Sequence, residues 1–254
     1  MSAKRKPRLL FVGAFPPPER KIFGGMVSAC RALLGSSFAQ RLDLDLVDTT
    51  QISNPPPNLP VRLLLAGRRV IRFVGRFERR RPDAVLLFMA PGASLIEKGL
   101  MGWYSRLRGV PALAFPRGGA TIDSAARSPL RRRITQWALG GSRMILCQGP
   151  AWQQFARDVC GMAPEDAPII ANWTASEQLL AFGANRSGAT VSPDGVPHLV
   201  FVGWLDAGKG VLELIEAVIA LAPKMNFRLS LAGEGNVSES ARQAVAAAGL
   251  EDRV

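Results

Sequence analysis

Short apolar runs alternate with amphipathic stretches along most of the chain. Arg8 to Ala14 is a brief apolar run that reads as a buried parallel strand. The three prolines after Phe15 cannot join a ladder, so Phe15 to Phe23 is a loop. Gly24-Gly25 then opens a helix over Met26 to Leu34. Leu42 to Val47 alternates apolar and acidic residues, as a strand nearer a sheet edge does, and the proline-rich Asn54 to Pro60 is a loop. Arg62 to Arg81 predicts a helix with Leu63, Val70, Val74 and Phe77 on one face and Arg69, Arg72, Arg76 and Arg79 on another. Further strands are predicted at Ala84 to Met89, Ala112 to Phe115, Arg143 to Cys147 and Pro168 to Ala171. Helices are predicted between them at Leu95 to Leu107, Leu130 to Leu139 and Ala151 to Val159.

Such alternation means βα units and parallel sheets, an α/β fold. Ser176 to Pro197 is poor in strand signals and rich in Gly, Ser, Asn and Asp, and is expected to be a linker. The pattern then restarts, with strands at His198 to Val202 and Phe227 to Ala232 and helices at Gly210 to Leu221 and Ser238 to Ala248. The expected organisation is a first domain over 1–175, a linker over 176–197 and part of a second α/β domain over 198–254. So short a second piece buries little surface and leaves a sheet edge open, which predicts marginal stability.

Charge changes the picture. The net charge is +12, yet residues 191–254 hold five basic and eight acidic side chains against 27 and 12 in residues 1–190. A basic first part suits an anionic partner: a membrane surface, a phosphorylated acceptor or nucleic acid. It also suits simple solvated decoration. Three widely spaced cysteines, Cys30, Cys147 and Cys160, show no metal-ligand spacing and read as reduced thiols of a cytoplasmic protein. The brief apolar stretch after the basic N-terminus does not resemble a secretory signal, and no run is long enough to span a bilayer.

The candidate chemistry lies at strand ends. Gly203 ends one strand, and Lys209 stands just before a helix opening at Gly210. Backbone N–H groups, the positive end of the helix dipole and the ammonium then suit a diphosphate together. The next strand ends in Gly233-Glu234-Gly235, at the same carboxyl edge where open α/β sheets bind ligands. No G-x-G-x-x-G follows the first strand, which argues against a nicotinamide-dependent enzyme.

Here the sequence resembles the retaining glycosyltransferases of family 4. The resemblance rests on Phe201-Val-Gly203 with Leu205 and Lys209-Gly210, on Leu231-Ala-Gly-Glu-Gly235 and on Ala248-Gly-Leu-Glu-Asp-Arg-Val254. More loosely, Gly24-Gly25-Met26 resembles the family's glycine loop and Ile169-Ile-Ala-Asn172 the segment closing its first domain. The resemblance implies a GT-B architecture: two Rossmann-like domains across a cleft, the second holding a nucleotide-sugar and here incomplete. It implies sugar transfer with retention to a glycan or lipid-linked acceptor, in surface polysaccharide or glycolipid synthesis, with no metal or other cofactor. It assigns Lys209, Gly203, Gly24 and Gly25 to the donor diphosphate and Gly233, Glu234 and Gly235 to the nucleoside side. Arg117 and Gly118 fall to the acceptor side; no catalytic residue is singled out.

Three departures stand out. Trp204 occupies the place of an arginine that shares the diphosphate in the family. Pro116-Arg117-Gly118-Gly119 stands where the family has a histidine before the glycine of the loop; Arg117 can contact a phosphate or an acidic acceptor but cannot copy a histidine's role. The chain reaches Val254 before the glutamate pair that grips donor sugar and ribose, so this chain is expected to transfer sugar weakly or not at all. The lone His198 is expected to be structural. The arginine-rich Arg62 to Arg81 helix can lie on anionic lipid at the inner face of the membrane or pack with its arginines merely solvated. The alternative to an enzyme is a basic membrane- or nucleic-acid-binding protein. No nucleic-acid-binding signature accompanies the charge, and nucleic acid is not the expected partner.

Overall fold

The computed structural model describes residues 5–17, 19, 22, 24–50, 57–173, 175, 177–185 and 195–254. The expected loops at 15–23 and 54–60, and the linker 176–197, lie partly outside the described residues. The chain divides into two compact units, Met1–Ala181 and Phe182–Val254.

In the first unit, five parallel strands run in the order β2-β1-β3-β4-β5. They are β1 (Arg8–Gly13), β2 (Asp43–Asp48), β3 (Ala84–Met89), β4 (Ala112–Pro116) and β5 (Met144–Ile145). The acidic alternation of Asp43-Leu-Asp-Leu places β2 at the edge, half-wetted, while β1 and β3 are buried nearly throughout. Helices α1 (Gly25–Leu34), α2 (Ser37–Gln40), α3 (Leu59–Arg79), α4 (Ala93–Leu107), α5 (Ala120–Arg127), α6 (Pro129–Gly140), α7 (Pro150–Asp158) and α8 (Glu177–Ala184) complete the unit's elements, α8 running into the second unit.

Successive strand residues point to opposite faces and build two cores. Leu10, Val12, Val85, Leu87, Met89 and Ala114 pack on α3, α4, α6 and α7 through Phe73, Phe77, Met101, Leu139 and Trp152. Leu9, Phe11, Leu86, Phe88 and Phe115 pack on α1 through Val27, Ala29 and Cys30. Cys30, Cys147 and Cys160 are all free thiols.

The second unit pairs β6 (His198–Val202) with β7 (Arg228–Ala232) in parallel and adds α9 (Val211–Leu221) and α10 (Ser238–Ala247). Phe227, Leu229, Val211, Ile215, Val218, Ala241 and Val245 form its core. Val200 and Val202 are 61% and 78% exposed, so one face of the two-stranded sheet is open. His198, expected to be structural, starts β6 and shares a 2.8 Å hydrogen bond with Ser230.

Several expectations are corrected. Within segment 176–197, expected as linker, Glu177–Ala184 forms the helix α8, which sequence reading did not anticipate although Glu, Gln, Leu and Ala favour helix. Pro168 to Ala171 makes no strand but a single bridge, Ile169 to Cys147, and Arg143 to Cys147 shrinks to the two residues of β5. Proline has no N–H to extend such a ladder. Helix α3 buries Phe73 and Phe77, while Leu63, expected on the same face, is 64% exposed. Two of the arginines are paired rather than merely solvated: Arg69 makes a two-pronged ion pair with the buried Glu97, and the exposed Arg76 pairs with Asp45.

Candidate functional site

In the second unit, the loops leaving β6 and β7 are laced together by backbone. Gly203 donates to the Ala232 carbonyl (3.0 Å), Leu205 to the Glu234 carbonyl (2.9 Å) and Val237 to the Leu205 carbonyl (3.0 Å). The Asp206 carboxylate accepts from the Asn236 amide at 3.3 Å. This proximity explains the glycines. A Cβ on Gly233 would stand 1.8 Å from the Gly203 oxygen, and one on Gly235 would stand 2.3 Å from the Leu205 oxygen. Gly233 and Gly235 therefore let one loop cross the other, whatever else they face. Between them the Glu234 side chain is exposed and has no partner among the described residues.

The first of these loops ends in a 3-10 turn, Ala207–Lys209, followed by Gly210 in the left-handed region (φ 74°), which starts α9. The first α-helical bond of α9 runs from Leu214 N–H to the Gly210 carbonyl. The amides of Val211, Leu212 and Glu213 precede it, and no side chain caps them. Lys209, two residues before these donors, is exposed and makes no ion pair among the described residues. Trp204, at the place of the family's arginine, is 40% exposed above the buried Leu205.

In the first unit, the sheet order puts a topological switch between β1 and β3, where the connections diverge and ligands of such sheets bind. Gly24 caps α1 without a side-chain hydrogen bond, and a Cβ on Gly24 or Gly25 would meet nothing within 4 Å. Arg117 follows β4, its N–H held by the Met89 carbonyl at 2.8 Å. Its guanidinium lies over Phe115, Phe88 and Trp173, at 4.9, 5.6 and 5.7 Å from the ring centroids. Burial pulls its pKa below the ordinary arginine value, opposed only by Cys30. Gly118 adopts φ 88° and is pinned, its N–H donating to Gln148 Oε1 (2.7 Å) and its carbonyl accepting from Trp152 Nε1 (3.2 Å).

Sequence reading missed Lys98 on α4. It is 3% exposed, and burial brings its pKa down to about 8 against the opposing pull of Glu97. Asp48 and Cys30 also act on it. Glu97-Lys98 interrupts the apolar stretch Leu95 to Trp103, a pattern that by itself does not tell a buried charge from a surface one. Asp48, ending β2, was passed over too; it accepts from the amides of Phe15 and Thr50, both at 2.9 Å, and so fixes the loop leaving β1.

No protein-family model matches the chain, and no curated protein matches it. Solved structures do. The chain aligns over 97% of its length with the lipopolysaccharide outer core galactosyltransferase WaaB in its apo form (14% identity, TM-score 0.53, 66% of that chain). It aligns over 97% with Anabaena HepE in complex with UDP and glucose (13% identity, TM-score 0.56, 68% of that chain). It aligns over 94% with the UDP-N-acetylglucosamine 2-epimerase of Rickettsia bellii (14% identity, TM-score 0.54, 64% of that chain). The chain has a GT-B-type α/β fold. It spans about two thirds of the length of the solved chains it matches.

Proposed function

We propose that the chain belongs to a nucleotide-sugar-dependent glycosyltransferase that retains anomeric configuration and acts on a glycan or lipid-linked acceptor. The observation that carries this reading is the exposed, unpaired Lys209 beside the uncapped amides of Val211, Leu212 and Glu213. In such a transfer the bond between the anomeric carbon and the diphosphate oxygen breaks, and the acceptor hydroxyl oxygen takes its place as its proton leaves. Charge gathers on the departing diphosphate, and the fixed helix-end amides, with the ammonium beside them, stabilise it as it forms. Glu234, with Gly233 and Gly235 in the neighbouring loop, is assigned to the nucleoside side, and Gly203 to the turn that carries Lys209. Gly24 and Gly25 keep the diphosphate role that the family resemblance gives them. The complex of HepE with UDP and glucose favours a uridine nucleotide.

Thermal-shift and calorimetric titration with UDP, GDP and ADP test the reading. One nucleotide should bind saturably, and Lys209→Ala should weaken it about tenfold or more, as loss of a charged hydrogen bond does. Indifference to all three, or equal binding by Lys209→Ala, removes the assignment. Incubation with the UDP-sugar alone separates transfer from epimerisation, since an epimerase needs no acceptor.

The reading includes contact with the cytoplasmic face of a membrane through α3. Its first half exposes Leu59, Leu63 and Leu64 beside the exposed Arg62 and Arg68. Apolar and basic groups displayed together suit an interfacial helix, each basic residue contributing roughly 1 kcal/mol near anionic lipid. No described helix is long and apolar enough to cross a membrane.

A further inference from the structure

The carboxyl edge of the first sheet holds two cations that the donor reading leaves unused. The Arg117 guanidinium is gripped by rings, not by acceptors. Phe88, Phe115 and Trp173 surround it, and Trp173 is itself tied to α1 by its indole N–H donating to the Ala29 carbonyl at 3.0 Å. Aromatic faces attract a cation but leave its N–H groups without oxygen partners. Arg117 Nη1 is buried and has no hydrogen-bond partner, and Arg117 makes no ion pair among the described residues. An unsatisfied buried donor of this kind is rare in native proteins and asks for an acceptor.

The surroundings do not supply one. The group nearest in electrostatic terms is Cys30, and burial pushes its thiol up to about 11, so it carries no charge near neutrality. Cys30 also lies within electrostatic reach of Lys98, which brings the second cation into the same neighbourhood. The only carboxylate in ion-pair contact with Lys98 among the described residues, Glu97 at 3.8 Å, is already held by Arg69 through bonds of 2.9 and 2.8 Å. Beside Arg117, the space over Gly118 and Gly119 is open, since a Cβ on either would meet nothing within 4 Å.

We propose that this edge binds an oxyanion carried by the acceptor, a phosphate or a carboxylate, with Arg117 Nη1 as its principal donor and Lys98 of α4 adding only longer-range attraction. Calling the ligand an acceptor rests on the glycosyltransferase reading; the oxyanion site itself does not. The acid shapes the site's preference: a planar guanidinium serves either anion through paired N–H groups, and the neutral alcohol of the same size gains nothing from it.

The test titrates the full chain by calorimetry with glycerol 1-phosphate, with glucuronate, and with neutral glycerol and glucose. At least one acid should bind saturably and its neutral counterpart should not; the tighter acid names the anion. Arg117→Met should weaken the acid about tenfold or more, the loss expected for one charged hydrogen bond. Arg133→Met, which removes an exposed charge from α6, should leave it unchanged. Should Arg117→Met fail to fold, Arg117→Lys keeps the charge without the fork and should still weaken binding by about threefold or more. UDP titration of the same proteins keeps the two readings apart: Lys209→Ala should lose UDP and keep the acid, and Arg117→Met the reverse. No saturable binding of either acid, equal binding of acid and neutral probe, or acid binding untouched in both Arg117 variants overturns the proposal, leaving Arg117 as a rivet among rings.

Discussion

At the scale of single residues, Gly233 carries the sharpest constraint. A methyl group there would overlap the Gly203 oxygen, so the β6 and β7 loops would have to part. Gly233→Ala should cost about 1–3 kcal/mol, as overpacking does. Faster amide exchange at Gly203 and Leu205, whose N–H groups bond across the two loops, would report it. Unchanged exchange would mean that the loops tolerate separation. Lys209 is constrained in the opposite way: its ammonium has no partner among the described residues, so Lys209→Ala should leave melting unchanged while nucleotide affinity falls. A residue whose loss affects ligand but not fold is the signature expected of a binding group.

At the scale of elements, α3 divides into two halves with different work. Phe73 and Phe77 anchor the second half under the sheet, in edge and tilted contacts with each other and with Tyr104. Phe77→Ala should therefore destabilise the first unit by about 3–5 kcal/mol, the usual cost of a deleted core phenylalanine. The first half should behave differently. Leu64→Asp should leave melting within about 0.5 kcal/mol, as surface changes do, and should reduce flotation with anionic liposomes. Retained flotation, or flotation indifferent to lipid charge, contradicts the membrane role. The sequence pattern gave the helix but not this division, because periodicity registers which side of a helix is apolar and not where along its length the sheet ends. Leu63 and Phe77 lie on one stripe, yet only Phe77 has a sheet beneath it. The strands β1 and β3 were legible to within a residue because buried parallel strands are unbroken apolar runs, and β6 and β7 were legible from short apolar segments that end at glycines. β5 was not, because two ladder pairings leave little pattern to read. The turn holding Lys209 was legible from its glycines. Lys98 was hidden, because a buried charge looks like a surface charge until burial is known.

At the scale of the whole chain, the two units differ in what supports them. The first has a sheet covered on both faces; the second has two strands with Val200 and Val202 uncovered. Amide protection should accordingly be lower across β6 and β7 than across β1 and β3, and equal protection would contradict this ranking. Stability should also follow pH in a definite order. Lys98 loses its proton near 8 in the folded chain and near its ordinary value of 10.5 when unfolded. The unfolded chain then binds more protons as pH rises above 8, so this group's contribution to stability increases there. Burial raises Cys30, Cys147 and Cys160 from 9.0 to about 11, 11 and 12, so above pH 9 the unfolded chain loses thiol protons first and these groups lower stability. Lys98→Met should make stability fall earlier and more steeply above pH 8, because the contribution that offsets thiol ionisation there is gone, as read by denaturant melts at each pH.

The central claim is that the amino end of α9, with Lys209, takes a nucleotide diphosphate. Amide chemical-shift mapping of the full chain during a UDP titration tests it residue by residue. The account predicts saturable shifts centred on Lys209, Gly210, Val211 and Leu212, lost in Lys209→Ala. Saturable UDP shifts that bypass these amides, or no saturable shift at all, would contradict it.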